Sequence, residues 1–130
     1  MPEIAFGVRE AKPCPLQGAS EAEWRNAVAE EARRASGQGA FPKPTASTRF
    51  ALSLRFRMTE SAPGQESDLD NLAKPVVDTL FRSGDKRERK PGVSGVLFGI
   101  DDAQVFRLEL EKTHVSSEKD EGVDVRVVWP

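Results

Sequence analysis

The clearest periodic pattern in the chain is an alternation of apolar and polar residues between Arg49 and Met58. The apolar positions recur at every second residue, at Phe50, Leu52, Leu54, Phe56 and Met58. A period of two places these side chains on one face of a β-strand and the intervening residues on the other. The segment is therefore predicted to be a half-buried strand whose polar face carries Arg49, Arg55 and Arg57.

Three further segments have the pattern of strands. Residues 4–8 predict a short first strand, and residues 106–111 alternate phenylalanine and leucines with charged residues. Residues 123–129 alternate valines and a tryptophan with Asp124 and Arg126. Alternation bounded by turn-forming residues is typical of strands with one buried face. The chain is therefore expected to form about four strands.

Two segments have helical spacing. Ser20 is a good N-cap residue with Glu23 three positions later, which is the spacing of a capping box, and this helix is expected to reach about Ser36. Residues 69–82 predict a second helix with its apolar positions one turn apart. Pro75 is expected in the first turn of that helix or at a bend, because proline cannot donate a backbone hydrogen bond.

These elements predict one α+β domain over residues 1–130, with a mixed or antiparallel sheet and two main helices on one of its faces. The composition, with 38% hydrophobic and 31% charged residues, is typical of a globular domain. A single cysteine, Cys14, excludes an internal disulfide. No stretch approaches the ~20 apolar residues of a membrane span, so we expect a cytoplasmic protein without membrane contact.

The segment 83–98 is predicted to be an exposed, charged loop. It contains several glycines and a proline, which are typical of turns, and four basic residues: Lys86, Arg87, Arg89 and Lys90. The net charge of -2 gives no general attraction for nucleic acid, so any DNA contact must come from local groups such as these.

Two acidic clusters lie at predicted element boundaries. Asp68 and Asp70 come just before the second helix, and Asp101 and Asp102 come just before the third strand. In an extended segment residues two apart point the same way, so the first two carboxylates can face one ligand. If Asp101 or Asp102 lies opposite, the carboxylates need a cation to remain ionised together. Carboxylate-only ligation favours Mg²⁺, with Mn²⁺ as a substitute.

An oxygen-ligated Mg²⁺ ion is typical of phosphoryl chemistry, where it activates water and neutralises phosphate. Lys74 follows Asp70 by one helical turn and could place an ammonium beside that phosphate. Simpler roles compete for each residue. Asp68 or Asp70 could be a helix N-cap, Lys74 could pair with Asp70 or Asp78, and Asp101 and Asp102 could belong to a turn.

The joint pattern resembles the RusA family of Holliday junction resolvases. The likeness lies in D-x-D-N-L-x-K at residues 68–74, D-x-L at residues 78–80 and D-D-x-Q-V at residues 101–105, in this order. The resemblance implies a small α+β domain that dimerises, binds four-way DNA junctions and nicks opposed strands with Mg²⁺ or Mn²⁺. By position, it implies metal binding by Asp68, Asp70 and Asp102 and an essential lysine at Lys74. Asp101 matches a position that is usually acidic.

The chain departs from the family pattern at two places. Residues 64–67 read Gly-Gln-Glu-Ser where a basic run is expected, and residues 83–98 form an insertion between the second helix and the D-D motif. We expect DNA contacts from the polar-face arginines and from the basic residues of the insertion: Arg49, Arg55, Arg57, Lys86, Arg87, Arg89 and Lys90.

Three alternative functions are consistent with this resemblance. The first is junction resolution by paired phosphodiester hydrolysis in DNA recombination and repair. The second is cleavage of other branched DNA. The third is DNA binding by a RusA-like protein with little or no catalysis.

Overall fold

The computed structural model describes residues 2–39 and 41–130, and it confirms an α+β domain with four strands and two helices. The main elements in chain order are β1 (Glu3–Arg9), α1 (Glu21–Gly37), β2 (Phe50–Met58), α2 (Leu69–Leu80), β3 (Val105–His114) and β4 (Gly122–Val128). Short 3₁₀ turns lie between them. Neither helix in the described ranges is long and apolar enough to cross a bilayer.

The four strands form one mixed sheet in the order β1-β4-β2-β3. Strand β4 is antiparallel to both of its neighbours, and β3 is parallel to β2. Strands β1, β2 and β3 therefore run in the same direction, and a helix joins each to the next. The connection from β1 to β2 and the connection from β2 to β3 both move toward the β3 edge of the sheet. Because parallel crossover connections have the same handedness, both helices lie on the same face of the sheet.

The core lies between the sheet and the two helices. The alternating apolar residues of β2 are all buried, with Leu52 and Phe56 fully so. Leu72, Val76 and Leu80 of α2 are also fully buried. Burying one such side chain stabilises the fold by about 1.5–3 kcal/mol. Both helices lie on this side of the sheet, and on the opposite face Arg55 remains exposed whereas Arg57 is buried.

The start of α1 and the proline of α2 differ from the sequence predictions. Ser20 is the N-cap of α1, but its side chain makes no capping hydrogen bond, so the predicted capping box does not form. Pro75 lies beyond the first turn of α2. Because proline has no N–H, the carbonyl of Asn71 lacks its helical donor, and it accepts a hydrogen bond from the N–H of Leu16 at 3.2 Å. Pro75 thus leaves a carbonyl that anchors the segment before α1.

The segment 83–98 is anchored to the helices, and the prediction that it is exposed is wrong at its four buried positions and right at seven others, among them Lys86, Arg87 and Lys90. Arg25 of α1 is fully buried, and its guanidinium donates to the carbonyl oxygens of Glu88 at 3.0 Å and Val93 at 2.6 Å. Val93 and Leu97 are themselves buried. A buried guanidinium needs several acceptors, and the carbonyls of this segment supply them.

Candidate functional site

Helix α2 runs opposite to strands β2 and β3. Its C-terminal end meets the beginning of β2, where the rings of Phe81 and Phe50 pack with centroids 5.5 Å apart. Its N-terminal end meets the end of β3, where Lys112 Nζ donates to the carbonyl of Ser67 at 2.6 Å. The two ends of α2 therefore lie at opposite ends of the strands.

Asp68 and Asp70 lie at the N-terminal end of α2, and both are exposed. Asp68 occupies the N-cap position in an extended conformation, but its side chain makes no capping hydrogen bond. Asp70 lies in the first turn. The positive end of the helix dipole interacts favourably with negative charge at this position.

Asp101 and Asp102 lie beside the C-terminal end of α2. The N–H of Asp102 donates to the carbonyl of Arg82 at 2.9 Å, which joins the two segments. The side chains of Asp101 and Asp102 have different hydrogen-bond partners. Asp101 Oδ1 accepts a hydrogen bond from Arg82 Nε at 2.6 Å, and this bond holds the pKa of Asp101 below its usual value. Asp102 Oδ2 accepts a hydrogen bond from the backbone N–H of Gly84 at 3.3 Å. Of the pair, Asp102 is the carboxylate that has no cationic partner within the described residues.

Lys74 lies on α2 between the two acidic pairs. Its Nζ is 3.3 Å from Asp78 Oδ1, so the competing i,i+4 pair is formed with Asp78. The Lys74 side chain is 43% exposed, whereas the Asp78 side chain is fully buried. Burial raises the pKa of Asp78, and the neighbouring Lys74 opposes that rise. The buried carboxylate therefore holds the Lys74 ammonium in place at the helix surface.

Within one chain the two acidic pairs do not converge. The 12 residues of α2 span ~18 Å at 1.5 Å per residue, and the pairs lie at its two ends. Among residues 2–39 and 41–130, no three His, Cys, Asp or Glu side chains lie close enough together to hold a metal ion. The donors suit Mg²⁺ chemically, but one copy does not bring Asp102 to Asp68 and Asp70. The reason is the parallel β2-α2-β3 connection, which sends the helix back along the strands.

The polar-face arginines have three different environments. Arg57 is buried, and its guanidinium donates to the Asp124 carboxylate and to the backbone carbonyls of Val8 and Asp120. A guanidinium with this set of partners is not available to a phosphate. Arg55 is exposed and lies 3.4 Å from Glu111.

Arg49 is exposed and lies over the ring of Phe106, 4.7 Å from its centroid. This cation–π contact leaves the edge of the guanidinium open to solvent.

Most basic residues of segment 83–98 have partners within the chain. Arg87 pairs with Asp85 at 3.0 Å and Lys90 with Glu21 at 3.0 Å. Arg89 Nε donates to the carbonyl of Ser83 at 2.7 Å. Lys86 is exposed and has no carboxylate within 4.0 Å among the residues that the structure describes. The segment therefore offers Lys86 more freely than the other three.

Two important residues were not identified from the sequence. Arg82 pairs with the carboxylate of Asp101 and not with that of Asp102. Arg25 anchors segment 83–98. Arg82 lies two residues after the end of α2, but no local pattern connects it with a residue 19 positions away. Arg25 lies among other charged residues of α1, and only its tertiary position shows that it is buried.

No protein-family model matches this chain, and no curated protein matches it in sequence. The resemblance to the RusA family therefore depends on the motifs at residues 68–74, 78–80 and 101–105.

Proposed function

We propose that the chain is a Mg²⁺-dependent, structure-selective DNA endonuclease that cuts branched DNA, with four-way junctions as its first substrate and Mn²⁺ as a substitute ion. The observation that supports this function is the position of Lys74. It lies on the surface of α2, one turn from Asp70. This helix carries one acidic pair at its start, and Arg82, two residues beyond its end, accepts a backbone hydrogen bond from Asp102 of the other pair. Asp68, Asp70 and Asp102 are the proposed metal ligands.

The contact between Lys74 and Asp78 supports a role for the ammonium toward phosphate. An ammonium has three donors, and the 3.3 Å contact with Asp78 uses one of them. The side chain is partly exposed, so the other donors can reach a phosphate oxygen from solvent. A preorganised cation at this position stabilises the negative charge that develops during hydrolysis.

DNA contacts are proposed for the exposed cations Arg49, Arg55 and Lys86. Contacts of this kind neutralise phosphates and orient DNA without reading its sequence. Arg57 is left out because its guanidinium is buried. A small set of DNA-contacting cations is consistent with the net charge of -2. Because few phosphates would be neutralised, the affinity for DNA should depend only modestly on salt concentration.

The function is tested by incubating the protein with a synthetic four-way junction, a flap, a replication fork and a linear duplex of related sequence. Each substrate is used with Mg²⁺, with Mn²⁺ and with EDTA. We expect paired nicks in the junction and no cleavage in EDTA. Cleavage of the flap or fork in preference to the junction would instead favour a nuclease for other branched DNA.

Single substitutions connect that activity with the proposed residues. Asp70→Asn and Asp102→Asn are each expected to retain junction binding and lose cleavage. Glu30→Gln, an exposed carboxylate on α1, is the matched control and should cleave like the unmodified chain. Unchanged cleavage by both aspartate variants would remove the proposed site.

The separation of the acidic pairs favours one alternative, a RusA-like DNA-binding protein without catalysis. A single copy does not assemble three carboxylates, and residues 64–67 carry no basic residue. This alternative predicts tight junction binding in EDTA and no cut with either metal ion.

A further inference from the structure

Two exposed phenylalanines lie on either side of Asp102 in the chain. Phe98 is 42% exposed and Phe106 is 63% exposed. Each is four positions from Asp102, so neither Cα can lie more than ~14 Å from the Cα of Asp102. Isolated exposed apolar residues are common on protein surfaces, but these two are also held outward by an irregular backbone.

The backbone of Phe98 is in the left-handed region, with a φ of +59°. A bulky side chain rarely adopts this conformation, because its Cβ lies too close to the backbone. The ring of Phe98 packs edge-on against Trp129, with centroids 6.0 Å apart, and Trp129 is itself buried. A strained conformation at an exposed ring is typical of positions that contact a ligand.

The side chain of Phe106 is directed outward by an irregularity in β3. Val105 lies opposite Phe50 on β2, and Arg107 lies opposite Ala51. Phe106 is therefore the additional residue of a β-bulge. Bulges are frequent beside functional sites, where they change the direction of a side chain. The bulge accounts for an exposed aromatic ring at the beginning of β3.

Arg49 is held against the ring of Phe106 by the loop that precedes β2. Its guanidinium carbon lies 4.7 Å from the centroid of that ring. Gln104, in the 3₁₀ turn that begins at Asp102, donates from Nε2 to the carbonyls of Thr45 and Thr48, both at 3.0 Å. These two bonds fix the loop immediately before Arg49. One short turn therefore connects Asp102 with the guanidinium and the ring.

The chemistry of this surface matches a nucleotide. Arg49 is exposed, and among residues 2–39 and 41–130 no carboxylate lies within 4.0 Å of its guanidinium. A planar guanidinium can stack on a base and donate from its edge to a phosphate. Every base also has an aromatic face that can stack on phenylalanine, whatever the sequence. An apolar protein segment over Phe106 would instead bury Arg49 without an anionic partner, which is unfavourable.

We propose that Phe98 and Phe106 are stacking platforms for unpaired bases, and that Arg49 binds the adjoining phosphate. The cost of unstacking a base is lowest where pairing is already interrupted. The surface therefore selects an interrupted helix over a continuous duplex. The placement of these bases at a branch point beside Asp102 rests on the proposed function, whereas the stacking itself does not.

Stacking is tested by fluorescence anisotropy in EDTA, where no cleavage is expected. The probes are a labelled strand of about 12 thymidines and a strand of the same length made of abasic sites, which has the same phosphates and no bases. We expect the unmodified chain to bind the thymidine strand about 10-fold or more tightly than the abasic strand. The variant F98A/F106A should bind the two strands equally.

Three further variants are measured in the same way. Phe106→Ala alone removes a mostly exposed ring, so it should fold normally and lose part of the preference for bases. F98Y/F106Y retains both rings and should retain the preference. Leu108→Ala is the matched control, because it removes an apolar side chain of β3 that is 45% exposed, and it should bind like the unmodified chain. Circular dichroism verifies that each variant is folded.

Crosslinking locates the bases. A four-way junction with 5-iodouracil at the branch point is irradiated with the unmodified chain in EDTA, and the attached peptides are identified by mass spectrometry. We expect attachment at Phe98 or Phe106 and none in F98A/F106A. Attachment confined to other residues would overturn the proposed placement of the bases.

The outcomes distinguish this proposal from the proposed function. Equal binding of the thymidine and abasic strands by the unmodified chain would overturn the stacking role and assign the exposed rings to protein contact. Junction cleavage at the unmodified rate by F98A/F106A, with no crosslink in the unmodified chain, would overturn it and leave the proposed function standing. A preference for bases that depends on both rings, without cleavage of any branched DNA, would support stacking while the proposed function fails.

Discussion

Arg25 is the buried group whose removal should destabilise the fold most clearly. Its guanidinium donates to Thr79 Oγ1 at 2.9 Å and to the carbonyl oxygens of Asp78, Glu88 and Val93 at 3.2, 3.0 and 2.6 Å. It also lies 3.7 Å from the Glu88 carboxylate. One side chain therefore joins α1 to the end of α2 and to the segment that follows it.

The substitution Arg25→Met keeps a long side chain but removes every donor. The carbonyls and the buried Glu88 carboxylate would then lose their partner, and removal of one member of a buried ion pair costs about 3–5 kcal/mol. We expect a decrease of that size in the free energy of unfolding. The loss is large beside the ~5–15 kcal/mol that stabilises a typical domain.

The measurement is urea denaturation followed by circular dichroism, with limited trypsin digestion of the folded protein. Digestion within segment 83–98 should become faster, because Arg25 no longer holds its carbonyls. Arg34→Met is the matched control, since Arg34 lies on the same helix and makes an exposed 2.6 Å pair with Glu31. That variant should lose less than about 1 kcal/mol. A loss below about 1 kcal/mol for Arg25→Met, with slow digestion, would refute the anchoring role.

Three further predictions concern single groups. Lys74→Met should slow junction cleavage about 100-fold or more without unfolding the chain, and an unfolded variant with normal cleavage per folded molecule would show that Lys74 is structural. Burial raises the pKa of Glu121, but the hydrogen bond from Lys12 helps to hold it below its usual value. Glu121 therefore stabilises the fold above pH ~4.5 and loses that effect as the pH falls through the lowered pKa, so Glu121→Gln should flatten acid denaturation. Arg55→Ala should reduce the salt dependence of junction binding by about one unit of slope and leave the stability of the fold unchanged. Arg57→Ala should lower the stability of the fold. If the two variants changed both properties equally, the assignment of Arg55 to DNA binding and of Arg57 to the fold would be wrong.

The elements of the fold could be predicted from local patterns. The alternation at residues 50–58 identified β2 to within one residue, and the spacing of Leu72, Val76 and Leu80 identified the buried face of α2. Such patterns succeed because the period of each element decides which side chains share a face. The acidic motifs were also visible, since motif spacing is a property of the chain itself.

The partners of individual charged residues could not be predicted locally. Arg55 and Arg57 belong to the same alternating face, yet Arg57 is buried by contacts with β1 and β4 while Arg55 remains exposed. The basic residues of segment 83–98 resembled a free arm, but Arg25 and Glu21 of α1 bind that segment. These contacts join residues far apart in the chain, so no local period encodes them.

The sequence by itself therefore determined the strands, the helices, the apolar face of each and the chemical character of the carboxylate motifs. The tertiary structure decided how those motifs are distributed in space. Because β3 is parallel to β2, α2 must run back along the strands, and Asp68 and Asp70 lie a helix length from Asp102. Strand direction depends on pairing between distant segments, and only the assembled sheet determines it.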